Sequence, residues 1–103
     1  MKHTLPHRAS SAAMHDALDQ AFASYQQRYQ SYQPQLSWQD AENASFKFTV
    51  KGITLNGKVK IDPGALTVEI DVPFMFRLFQ KKAVEVVERE ASPWITLAEK
   101  NTA

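Results

Sequence analysis

The sequence contains no cysteine, which excludes disulfides, thiolate-held metals and cysteine-nucleophile chemistry. Glycine is scarce: the 3 present, Gly52, Gly57 and Gly64, lie too far apart to build a phosphate-cradling loop. No apolar run approaches the roughly 20 residues that span a bilayer as a helix. The start, Met1-Lys2-His3-Thr4-Leu5-Pro6, lacks the apolar centre of a secretion signal, so the chain reads as cytoplasmic. An excess of one charge is missing too. The 12 Lys and Arg against 11 Asp and Glu leave a net charge of +1, which disfavours a strong polyanion binder. None of the serines stands in a Gly-x-Ser-x-Gly context.

What is present is an ordinary globular balance, 44% hydrophobic and 22% charged, in 103 residues. That length fits one domain, with residues 1–9 as a leading segment and 10–100 as a single α+β unit. Ser10 or Ser11 can cap a helix. Behind them Met14, Leu18, Phe22, Tyr25, Tyr29 and Tyr32 recur at steps of three or four, one face of an amphipathic helix that Pro34 ends. The tyrosines suit a half-buried edge with their phenol tips in water.

The period then changes to two. Leu36 and Trp38, then Phe46, Phe48 and Val50, then Ile53, Leu55, Val59 and Ile61, and finally Leu66, Val68, Ile70 and Val72 alternate with polar residues. They predict four half-buried strands in an antiparallel meander. A two-residue turn at Lys51-Gly52 sets Val50 opposite Ile53, and Asp62-Pro63-Gly64-Ala65 sets Ile61 opposite Leu66. A turn around Glu42-Asn43 would set Trp38 against Phe46. This register puts Gly57 on the inner face between Phe46 and Ile70, leaving a gap that a ring can fill. On the outer face it puts Lys58 opposite Glu69.

After Val72-Pro73 the helical period returns. Phe76, Phe79, Ala83, Val86, Val87, Ala91, Trp94 and Ala98 share one side of a long helix that covers the sheet beside the first. Pro93 should kink this helix, with Ser92 placed to cap a new start.

Chemistry-bearing groups are few. His3 and His7 are four apart, but Pro6 between them disfavours a helical metal pair, and both read as surface tail; no metal or cofactor is expected. Glu69 and Asp71 share the outer sheet face with Asn56 and Lys58, where nothing would raise a carboxyl pKa for acid–base work. The helix–strands–helix order and Lys81-Lys82-Ala83 are similar to a double-stranded-RNA-binding domain, yet the net charge and the turns argue against it, so nucleic acid is a disfavoured partner. A ligand pocket between helix and sheet beside Gly57 would be lined by Trp38, Phe46, Phe48, Ile70 and Trp94, room for an acyl or hydroxyacyl chain. The most informative stretch is Phe74-Met75-Phe76-Arg77-Leu78. Phe76 belongs to the core stripe, while Phe74 and Leu78 project roughly 160–170° from its centre at about 100° per residue. They lie beside Arg77, Lys81 and Lys82. An apolar knob ringed by positive charge suits contact with a partner protein, a second copy of the chain or an amphiphilic surface; if residues 73–75 are instead extended, Phe74 tucks under the first helix.

The ordered set of features resembles a known family, the polyhydroxyalkanoic acid system proteins or polyhydroxyalkanoate granule-region proteins. The matching elements are His3-Thr4-Leu5-Pro6-His7, the Ala- and Tyr-bearing first helix, Trp38, Lys51-Gly52-x-x-Leu55-x-Gly57, Val72-Pro73-Phe74, Glu88-Arg89-Glu90 and Trp94-Ile95. The resemblance implies a setting, bacterial polyester storage, rather than a mechanism; in that setting a granule or a granule protein is the surface the apolar knob would meet. The resemblance supplies no catalytic residues, which agrees with a non-catalytic role.

Overall fold

The computed structural model describes residues 1–50, 52–71 and 80–102, apart from the Gln80 side chain. The elements run β1 (Lys2–Pro6), α1 (Ser11–Arg28), a 3-10 turn (Gln30–Tyr32), β2 (Gln35–Trp38), β3 (Asn43–Val50), β4 (Ile53–Asp62), β5 (Ala65–Ile70) and α2 (Gln80–Lys100). The sheet is antiparallel throughout, in the order β1-β5-β4-β3-β2. It has five strands where the hydrophobic period predicts four. The extra one is the start of the chain, which pairs with β5 from Lys2↔Glu69 to Pro6↔Ala65. Its single strong apolar residue, Leu5, is too little to display a period of two. Pro6 is tolerated because it closes an edge strand.

The meander register holds elsewhere with one shift. Val50 pairs with Ile53, Ile61 with Leu66, Lys58 with Glu69, and Gly57 sits between Phe46 and Ile70. Trp38, however, faces Ala44, and it is Leu36 that faces Phe46. The Asp40 carboxylate causes the shift. It accepts from the backbone N–H groups of Glu42 and Asn43, each at 2.8 Å, and so tightens the turn, which brings the partner of Trp38 two residues earlier than expected. Those bonds hold its carboxyl below the usual range.

α1 begins where its cap predicts: Ser10 Oγ accepts from the Ala13 N–H at 3.2 Å. It ends earlier than expected, at Arg28; the chain then tightens into the 3-10 turn, and Gln33 adopts φ 48° ahead of Pro34. Its buried face is Ala13, Met14, Ala17 and Ala21, small residues that let the helix lie close, while Tyr32 is exposed. α2 runs unbroken through Pro93. Ser92 does not cap a new helix; its hydroxyl donates back to the Glu88 carbonyl at 2.7 Å.

The core joins one sheet face to both helices: Leu5, Phe46, Val59, Ile61, Leu66, Val68 and Ile70 pack with Met14, Ala17, Ile95 and Ala98. Among the described residues, no helix packs on the other sheet face, which presents Lys2, Lys47, Lys58, Lys60 and Glu69 to water.

Candidate interaction site at the start of the second helix

Of the residues expected to form the apolar knob, Phe74, Met75, Arg77 and Leu78 lie outside the described residues. Lys81 and Lys82 are described, and both are exposed in the first turn of α2. Two contacts fix how α2 lies. His3 Nε2 meets Glu88 Oε1 at 2.8 Å, and the Arg8 N–H donates to Glu99 Oε2 at 2.9 Å. Eleven helical residues cover about 16 Å and five extended ones about the same, so α2 runs alongside β1. The first turns of α2 therefore reach beyond His3, toward the end of the sheet where Met1 exchanges hydrogen bonds with Ile70. The chain leaves β5 there too: the Asp71 N–H donates to the Asn56 carbonyl at 2.9 Å. The β3–β4 hairpin ends on the same side, and its Val50, Ile53 and Leu55 are only half-buried. So lysines 81 and 82, the half-buried Ala83, Val84 and Val86, and an incompletely covered hairpin gather at one end of the molecule.

Beside this end a tyrosine cluster joins the helices. The Tyr25 hydroxyl donates to the Glu90 backbone carbonyl at 3.0 Å, and the Tyr29 hydroxyl to Glu90 Oε1 at 3.4 Å. Arg28 lies 3.5 Å from Glu90 Oε2 and over both phenol rings, about 5 Å from each centroid. Burial, helped by the Glu90 carboxylate, pushes the Tyr25 phenol up to about 12, so it remains a neutral donor.

The residues expected to line a pocket do not share one space. Phe46 lays its ring on Gly57, where a Cβ would collide with the ring tip, and Ile70 closes the row. Phe48 stacks beside Phe46 at 6.2 Å. Trp38 turns elsewhere: it stacks on His15 at 3.7 Å and donates from Nε1 to Asp19 Oδ1 at 2.7 Å. Trp94 packs edge-on against Tyr25 at 6.4 Å. A ligand beside Gly57 would require the Phe46 ring to leave it. A depression of about 470 Å³ does exist, but on the bare sheet face, open to water and lined by Lys2, Lys58, Lys60, Ser45, Thr67 and Glu69 among others.

The histidines correct the surface-tail expectation. His7 is 5% exposed. Its Nδ1 accepts from the Ala9 N–H at 3.1 Å, so Nε2 carries the proton it donates to the Asp62 carbonyl at 2.9 Å. His7 thus ties the β1–α1 link to the β4–β5 turn, a role a lone histidine in a polar stretch gives no sign of. Among the described residues, no three His, Asp or Glu side chains group to hold a metal, and no helix is long and apolar enough to cross a membrane.

The family pattern described as "putative polyhydroxyalkanoic acid system protein" matches residues 2–93, nearly the whole fold from β1 to Pro93. The chain belongs to this family. No curated protein matches it significantly. As a polyhydroxyalkanoic acid system protein, it carries the family match across β1, α1, the meander and the arm of α2 that bears Lys81 and Lys82.

Proposed function

We propose that this chain is a non-catalytic accessory protein of bacterial polyhydroxyalkanoate storage, cytoplasmic, that attaches reversibly to the granule surface or to a granule protein. The observation that carries this reading is the family match over residues 2–93. The attachment site is the stretch that leads into α2 together with its first turn: Phe74, Met75 and Leu78 as the apolar contact, with Arg77, Lys81 and Lys82 beside them in the sequence. Support for the location comes from the exposed Lys81 and Lys82 and from the half-buried apolar residues gathered at that end. At about 25 cal/mol per Å² the three apolar side chains contribute a few kcal/mol together, enough for reversible docking and too little for permanent embedding. Pairing of two copies through the same knob would strengthen it.

Co-sedimentation with polyester granules stripped of other proteins tests the reading. The natural chain is expected to pellet with the granules, and Leu78→Glu to stay in solution while keeping its denaturation midpoint. If Leu78→Glu unfolds the protein, Leu78 is core and the site is misplaced. If neither protein pellets, direct surface contact is wrong and only contact through another granule protein fits the family.

A further inference from the structure

The two parts of α2 on either side of Pro93 are held by different means. After the proline, Ile95 and Ala98 are buried in the core, at 9% and 0% exposure. That part is also stitched to the β1–α1 link. Glu99 accepts from the Arg8 N–H, and Thr102 Oγ1 accepts from the Ser10 N–H, both at 2.9 Å. Before the proline, no described side chain of α2 is fully buried; Val87 and Ala91 only border the core. Among the described residues, its polar contacts are concentrated on two side chains. Glu90 takes Tyr25, Tyr29 and Arg28, and Glu88 takes His3. Among the described residues, no side-chain hydrogen bond or ion pair reaches α2 ahead of Glu88.

The joint between these parts is weakened in the backbone. Pro93 has no N–H, so the Arg89 carbonyl, four residues back, loses its helical partner, and the ring crowds that same turn. One residue earlier, the Ser92 hydroxyl bonds back to the Glu88 carbonyl, a contact that favours bending. A helix whose two parts have different anchors and a missing hydrogen bond between them has a built-in hinge.

We propose that α2 up to Ala91 is a hinged arm, clasped to α1 at Glu90 and to β1 at Glu88, which opens about Ser92-Pro93 while residues 94–100 stay docked. Opening uncovers the flank of Val87 and Ala91 and the core residues beneath it. The clasp is suited to a reversible strap because one member, the Tyr25 phenol, is a neutral donor to a backbone carbonyl that any helical residue at position 90 would offer. The Glu90 side chain supplies the remainder. The hinge rests on the fold alone and stands or falls separately from the granule reading.

Amide hydrogen exchange on the full chain tests it. In the natural protein, amides 84–91 should exchange faster than amides 95–99. The double variant Tyr25→Phe/Glu90→Ala should speed exchange of 84–91 by about tenfold or more, with 95–99 and the β4 amides unchanged. Pro93→Ala, which restores the missing donor, should erase the difference between the two parts. Equal rates in the natural chain would overturn the hinge. So would a clasp variant that speeds both parts alike, or a difference that survives Pro93→Ala.

Discussion

At the Asp62–Gly64 end of the sheet the chain is sewn shut. His7 bonds the turn carbonyl of Asp62, the His7 N–H reaches the Gly64 carbonyl at 3.1 Å, and Ile61, Leu66 and Met14 are each 1% exposed. At the opposite end the β3–β4 hairpin outruns both neighbours. β2 stops at the partner of Lys47, β5 stops beside Gly57, and Val50, Ile53 and Leu55 keep part of their surface. The helices repeat the contrast, since the end of α2 is buried and its start is clasped. One end supplies the stability of a small domain. The other carries half-buried apolar residues and exposed lysines, which is where attachment to something else costs the fold least.

Ile61→Ala and Ile53→Ala break the comparison most directly. The first removes a fully buried side chain and should cost about 3–4 kcal/mol; the second should cost under about 1.5 kcal/mol because the site is half open. Urea denaturation of both reads the difference, and equal losses would mean the hairpin end is core. Gly57→Ala comes next. Its Cβ meets the Phe46 ring, so a loss of about 1–3 kcal/mol is expected, much of it recovered in Gly57→Ala/Phe46→Leu. Additive losses in the double variant would show that the ring is not the obstacle. The smallest effect concerns pH. The Tyr25 phenol stands at about 12 in the folded chain against an ordinary 10.0. Its contribution is therefore complete below pH 10 and is lost as pH rises toward 12. Tyr25→Phe should flatten that alkaline decline; an unchanged decline would assign it to other groups.

Much of this was legible in the residues because one face is buried and the side-chain period is two. A slip of one residue would have put Phe46, Val59 and Ile70 in water, so the β3–β4–β5 register followed from the turns alone. What escaped notice depended on single polar atoms. The Asp40 carboxylate moved the β2–β3 turn and so re-paired Trp38 with Ala44. β1 was hidden because Lys-His-Thr-Leu-Pro has one strong apolar residue, and only an existing β5 edge gives it a place. The partners of the two tryptophans, His15 for Trp38 and Tyr25 for Trp94, lie on other elements and leave no mark in the period of two. The apolar knob follows from helical spacing at about 100° per residue, but its key residues, 74–78, lie outside the described part of the chain.

Granule co-sedimentation of a matched pair tests the central claim most directly. Leu78→Glu alters the proposed apolar contact and Lys58→Glu alters the outer sheet face, so each tests one candidate surface with a negative charge. The account predicts that Leu78→Glu stays in the supernatant and Lys58→Glu pellets as the natural chain does. Loss of binding with Lys58→Glu, and its retention with Leu78→Glu, would contradict it.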